Sequence, residues 1–222
     1  MNTQNPSSTV GQKDAAFWDR MSSRYAKAKI GDEEGYARTL ERTRSLLTEE
    51  DSVLELGCGT GMTALRLATA AGRYLATDIA AGMIAQANQR LQDEPTPGLE
   101  FQVGTAESMA ASDNTFTTVL GFNYLHLVSD LNATLKHIHH LAAPGGRFIS
   151  KTPCLADSTR LIRVLVAVLR LVRFAPPSLL FFTEGELRDA LEAAGFTIEA
   201  VERHRSKKPE SDKRPYIVAR KS

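Results

Sequence analysis

The chain has 222 residues, 42% of them apolar, with a formal charge of +1 and a sequence pI of about 7.8. That length and apolar fraction allow one domain with a sizeable buried core. The near-neutral balance supplies no global basic field, so no nucleic-acid partner is expected. The two cysteines, Cys58 and Cys154, lack the paired spacing of a disulfide framework or a metal site, so no metal is expected and a reducing, cytoplasmic location fits best.

In chain order, residues 1–14 are polar, lack an apolar signal core and read as a disordered tail, which leaves 15–222 as a single domain. Residues 15–50 read as an N-terminal helical cap: Phe17, Met21 and Tyr25 recur at helical spacing, and 33–47 continues in the same style after the Gly31-Asp32 break. Residues 51–155 form a core of alternating elements. Strands are expected at 52–56, 74–78, 99–103, 116–122 and 147–152, with helices at 62–71, 83–92 and 131–141. Such alternation implies a parallel sheet covered by helices on both faces.

Residues 156–182 read as a helical insertion, and 183–222 as a helix stopped by Gly195 and then two strands, 196–203 and 216–220. Successive strands with no helix between them pair antiparallel. The fold class expected is therefore α/β, a three-layer α/β/α sandwich with a seven-stranded, mostly parallel sheet and an antiparallel last strand.

The chemistry concentrates in Glu55-Leu-Gly57-Cys58-Gly59-Thr-Gly61, between the first strand and the helix after it. Glycines there let the backbone turn tightly and let a ligand approach without meeting a Cβ. Asp78 follows at the end of the second strand, 21 residues after Gly57, where a carboxylate can accept from both hydroxyls of a ribose. A purely structural turn leaves Asp78 unexplained. A nicotinamide dehydrogenase would want a third glycine where Met62 stands, because that glycine lets helix and strand pack closely beside a pyrophosphate. A ligand with an adenosine but no pyrophosphate fits better.

Several segments in order carry a family resemblance. VLELGCGTG, TDIAAGMI, GTAESM, NYLHLVSD and APGGRF, all between Val53 and Lys151, resemble the motifs of class I S-adenosylmethionine-dependent methyltransferases, in particular the small-molecule group that includes ubiquinone-biosynthesis enzymes. The resemblance implies a Rossmann-like form of the sandwich and S-adenosyl-L-methionine as cofactor. It also implies roles: Glu55 on the methionine ammonium, with Gly57, Cys58, Gly59 and Gly61 along the cofactor. Asp78 would take the ribose, Ile79 and Met83 the adenine face, Ala106 the adenine edge, and Phe122 and Asn123 the methionine moiety. In the family Tyr25's region folds over the cofactor, with a tyrosine near the methionine end. Where the family commonly has an Asp, this chain has Thr105, a weaker acceptor for the adenine amine, and neighbouring Glu107 is a substitute.

The reaction so implied moves a methyl group from S-adenosylmethionine to an oxygen, nitrogen or carbon of a small-molecule acceptor, apolar ones included. The alternative is a non-catalytic cofactor-binding partner protein. A sulfonium leaves as a neutral thioether, so alignment does most of the work and a base is needed only for a nucleophile with a high pKa. No signature catalytic residue is therefore required; His126 and Tyr25 are the candidates, His126 because it follows the fourth strand. His137, His139 and His140 read as solvated helix surface. Cys154, in a Thr-Pro-Cys after the fifth strand, is a minor candidate nucleophile.

Within the insertion, 158–174 is a long apolar helix with Arg160, Arg163, Arg170 and Arg173 on one broad side. Charges and the Pro176-Pro177 pair argue against a membrane span. A lid over an apolar substrate, a homodimer interface and a membrane-surface contact all fit this helix, the lid being favoured.

Overall fold

A computed structural model describes residues 6–157 and 175–222 of the chain. The strands are β1 (Ser52–Leu56), β2 (Arg73–Asp78), β3 (Leu99–Val103), β4 (Phe116–Phe122), β5 (Ala142–Lys151), β6 (Phe196–Glu202) and β7 (Tyr216–Lys221). They form one sheet in the order β3-β2-β1-β4-β5-β7-β6. β1 to β5 pair in parallel, and β7 runs antiparallel to both β5 and β6. The helices are α1 (Pro6–Ala26), α2 (Glu33–Arg44), α3 (Met62–Leu67), α4 (Ala81–Asp93), α5 (Ala106–Ala110), α6 (Leu131–Leu141) and α7 (Glu184–Ala193).

Alternation along the strands builds the layers. Val53 and Leu54, Val119 and Leu120, Phe148 and Ile149, and Ile217 and Val218 are consecutive, buried and divided between two separate apolar clusters. A strand that is apolar on both sides must be covered on both, which is the physical reason for three layers. From β1 the chain steps one way to β2 and β3, and later the other way to β4 and β5. The loops leaving β1 and β4 therefore diverge, and a crevice opens at the strand ends between them.

Four elements differ from expectation. α1 begins at Pro6, so residues 6–14 are helix where a disordered tail was expected. Asp14 in it is buried and accepts from the Ser178 N–H at 2.9 Å and from the Ser178 hydroxyl at 2.6 Å, a contact that sequence spacing does not reveal. The helix after the glycine turn is short, α3 giving way to a 3₁₀ turn at Ala68–Ala70. α5 is an added helix, started by a reciprocal cap in which the Thr105 hydroxyl accepts from Ser108 N–H and the Ser108 hydroxyl from Thr105 N–H. β5 starts at Ala142, so the Pro144-Gly-Gly146 turn lies inside the strand, where its register with β4 shifts between Phe116 and Thr118. The arginine-bearing helix expected at 158–174 falls outside the described residues. Among the described residues no helix is long and apolar enough to cross a membrane.

Gly61 is the tightest point of the glycine turn. Its φ is +79°, and a Cβ there would lie 2.6 Å from Phe101 Cζ and 2.9 Å from Ala87 Cβ. At Gly59, φ +55°, the nearest atom is Tyr25 Cε1 at 3.5 Å. Gly61→Ala should cost about 2–4 kcal/mol, backbone strain plus overpacking, and Gly59→Ala about 1–2 kcal/mol, strain alone. Urea unfolding of both variants measures this; equal losses would contradict the packing role of Gly61.

Candidate functional site

β1 ends at Leu56 and the backbone turns left-handed at Gly57, Gly59 and Gly61, with φ of +70°, +55° and +79°. A Cβ on Gly57 would lie 2.6 Å from Tyr124 Cδ2, so the first glycine lets the turn pass beneath that ring. The turn is held from two sides. Gly59 N–H donates to Asp78 Oδ2 at 2.9 Å, and Ala80 N–H donates to Asp78 Oδ1 at 3.0 Å. On the other side Arg90 donates to the Thr60 carbonyl at 2.9 Å, the Thr60 hydroxyl at 2.7 Å and the Ala26 carbonyl at 2.8 Å, tying the turn to the end of α1. Burial pushes the Asp78 carboxyl above the usual carboxylate range, with the backbone donors pulling the other way.

A cavity of about 350 Å³ runs from this turn across the ends of β1, β2 and β4. Asp78, Ile79 and Met83 line one wall, and Thr105, Ala106 and Glu107 the end beyond it. Gly57, Gly59, Phe122 and Asn123 line the middle, and Gly11, Asp14, Trp18 and Tyr25 of α1 form a roof. Asn123 has φ +51°, unusual for a non-glycine residue, and its N–H donates to the Lys151 carbonyl at 2.7 Å. Thr105 does line the cavity, but its hydroxyl is already an acceptor for the Ser108 N–H at 3.1 Å. Glu107 is exposed and carries no such commitment to the helix cap.

A second, larger cavity of about 870 Å³ adjoins the first and shares Tyr25, Gly57, Gly59, Phe122 and Asn123 with it. Glu55, Cys58, Thr39 and Lys151 line this cavity alone. Glu55 is 2% exposed and accepts from the Tyr74 hydroxyl at 2.8 Å. Burial pushes its carboxyl up to about 7, against the pull of that hydrogen bond. Tyr25 stands between the cavities, 48% exposed, with its hydroxyl pushed upward first by desolvation and then by the Asp78 charge.

Most of the residues singled out from the sequence line these cavities, and Gly61, His126 and Cys154 do not. Gly61 lines neither cavity and serves packing. His126 also lines neither: its Nδ1 is buried without a partner among the described residues, and burial lowers the ring to about 4, leaving it neutral. Cys154 is fully buried in the core, its thiol pushed up to about 12 by desolvation, which removes it as a nucleophile. Of the three helix histidines, His137 lines the smaller cavity rather than open surface, while His139 packs edge-on against Phe196 at 5.2 Å. No group of three or more metal-ligating side chains stands together among the described residues. Sequence reasoning missed Gly11, Asp14 and Lys151. Val10, Asp14, Phe17 and Met21 do share one helical face, a signal hidden by the polar letters around them.

Glu55 makes stability depend on pH. An unfolded glutamate titrates near about 4.3, below the value of about 7 in the fold. The folded chain therefore holds more protons between those values, and the stability Glu55 contributes is complete in acid and lost as pH rises through about 7. Denaturant unfolding at pH 5 and pH 8 should show wild type losing about 3 kcal/mol relative to Glu55→Gln. Parallel curves for the two proteins would contradict the burial of an ionisable group at this position.

Comparison with known proteins agrees with this geometry. Residues 53–146 match the family described as a methyltransferase domain. A demethylmenaquinone methyltransferase of Symbiobacterium thermophilum is 35% identical over 103 residues, 45% of this chain and 41% of that protein. A highly reducing polyketide synthase of Purpureocillium lilacinum is 28% identical over 138 residues, 56% of this chain and 5% of the synthase. The chain thus spans less than half the length of these curated relatives. Among solved structures, magnesium protoporphyrin IX methyltransferase from Synechocystis, with bound S-adenosylhomocysteine, superposes with a TM-score of 0.68 at 19% identity, covering 98% of this chain and all of the other. Residues 53–146 are thus similar to a methyltransferase domain, and the chain shares its fold with the solved magnesium protoporphyrin IX methyltransferase.

Proposed function

We propose that this protein transfers the methyl group of S-adenosylmethionine to a small organic acceptor held in the larger cavity. The observation that carries the reading is the pairing, across one cavity, of a left-handed glycine turn with the Asp78 carboxylate. Each Asp78 oxygen accepts one backbone N–H and keeps acceptor capacity for a ribose hydroxyl. Ile79, Met83 and Ala106 offer apolar surface for an adenine, and Glu107 an acceptor for its amine. Glu55, on the far side of the shared residues, suits the methionine ammonium, which would draw its carboxyl into the ionised form. The relative named a demethylmenaquinone methyltransferase supports an organic small molecule as acceptor.

When bound, the cofactor supplies an activated methyl on a sulfonium. The chain's own work is then alignment and exclusion of water. Tyr25, Phe122 and Asn123 line both cavities and surround the passage between them, where an acceptor atom would meet the methyl in line. Among the described residues no histidine lines the larger cavity, so acceptors with an already nucleophilic atom fit this site best.

Isothermal titration with S-adenosylmethionine, S-adenosylhomocysteine and NAD tests the cofactor reading. The first two should bind and NAD should not, and Asp78→Asn should weaken binding by about 1.5–3 kcal/mol through loss of charge-assisted hydrogen bonds. Binding of NAD instead, or of none, would overturn it. Label transferred from methyl-labelled cofactor to an acceptor separates an enzyme from a protein that only binds.

A further inference from the structure

Lys151 ends β5, beside Phe122 in the sheet register, and is 8% exposed on the floor of the larger cavity. Its ammonium makes one hydrogen bond among the described residues, to the neutral Thr39 hydroxyl at 2.8 Å. That hydroxyl is engaged further, with the Gly35 carbonyl at 2.9 Å and His204 Nδ1 at 3.1 Å. No described carboxylate forms an ion pair with Lys151. Two influence it electrostatically without pairing to it: Asp32 accepts from Gly35 and Ser206 N–H, and Asp212 accepts through Oδ1 from the Arg214 backbone and side chain. Asp212 Oδ2 is buried without a hydrogen-bond partner among the described residues and belongs to the same cavity lining.

The surrounding charge is lopsided. Lys29, Lys151, Arg205, Lys207, Lys213 and Arg214 line this cavity against Asp32, Glu55 and Asp212, in a chain whose net charge is only +1. A buried ammonium with a single neutral partner is costly, and a desolvated anion placed on it recovers that cost. Burial lowers Lys151 to about 8, the direction expected of a cation short of counter-charge.

We propose that the larger cavity takes an acceptor bearing an anionic group, a carboxylate or phosphate, seated on the Lys151 ammonium with the arginines and lysines of the 205–214 loop at its rim. The proposal rests on the methyl-transfer reading for the identity of the cavity. A methionine carboxylate of the cofactor is the other source of such a group, but beside Asp32, Glu55 and Asp212 it still leaves two of the six cations unmatched.

The test uses the full chain saturated with S-adenosylhomocysteine, titrated with benzoate, phenyl phosphate and, as the uncharged control, benzamide. Both anions should bind about tenfold more tightly than benzamide. Lys151→Met should abolish that preference while retaining affinity for S-adenosylhomocysteine, and Lys151→Arg should keep the preference. Should Lys151→Met not fold, the Lys151 side-chain amine resonance in wild type decides: a shift with benzoate and none with benzamide supports the proposal. Equal binding of benzoate and benzamide overturns it, as does a Lys151→Met protein that loses S-adenosylhomocysteine affinity instead, since the anion is then the cofactor's own. Failure of S-adenosylhomocysteine to bind wild type at all would instead sink the methyl-transfer reading, and the titration of the unloaded chain with the same three probes would still judge the anion site.

Discussion

The hydrogen bond from Gly59 N–H to Asp78 Oδ2 joins the two halves of the site. One partner sits on the turn leaving β1, the other on the last residue of β2, and neither position makes sense without the other. The left-handed turn leaves backbone N–H groups pointing outward, and Asp78 satisfies one of them while its own carboxylate is held rigid by Ala80. The same pair then forms two adjacent walls of the smaller cavity. Sheet order decides where this happens, because only at the divergence of the β1 and β4 loops is there room for a ligand above the strand ends. Arg90 extends the constraint outward, anchoring α1 as a roof through the Ala26 carbonyl.

Buried ionisable groups lie around this crevice at the ends of three of the parallel strands. Asp78 ends β2, Glu55 stands next to last in β1, and Lys151 ends β5. Each is less than a tenth exposed, and each is shifted toward its neutral form chiefly by desolvation. Such positions weaken the empty fold and are retained where a ligand supplies the missing counter-charge or hydrogen bond. The opposite signs of Glu55 and Lys151 in one cavity match a zwitterionic or doubly charged set of guests better than an all-apolar one.

Much of this was legible in the residues. Short apolar strands bounded by glycine marked the parallel core, and the spacing from Gly57 to Asp78 marked two residues that line the smaller cavity. What escaped depends on contacts far apart in the chain. Residues 6–14 look like a polar tail because the partner of Asp14 is Ser178, and Gly11 lines the smaller cavity beside Ile79, to whose Cδ1 a Cβ added at Gly11 would come within 3.9 Å. Thr105 lines the smaller cavity and its hydroxyl also starts α5, a cap hard to see because a Thr three residues ahead of a Ser is a weaker capping box than the usual Glu or Gln. Gly61 belongs to the same motif as Gly57, yet packing against Phe101 explains it, and a one-dimensional motif does not separate the two roles. Lys151 gave no signal at all, since a lysine closing a strand ordinarily reaches water.

The most direct measurement is a crystal structure of the chain with S-adenosylhomocysteine. The expected density places the ribose on Asp78, the adenine between Met83 and Ala106, and the sulfur beside Phe122 and Asn123, facing the larger cavity. Density with the sulfur turned away from that cavity, or with the ribose remote from Asp78, would contradict the assignment of both cavities.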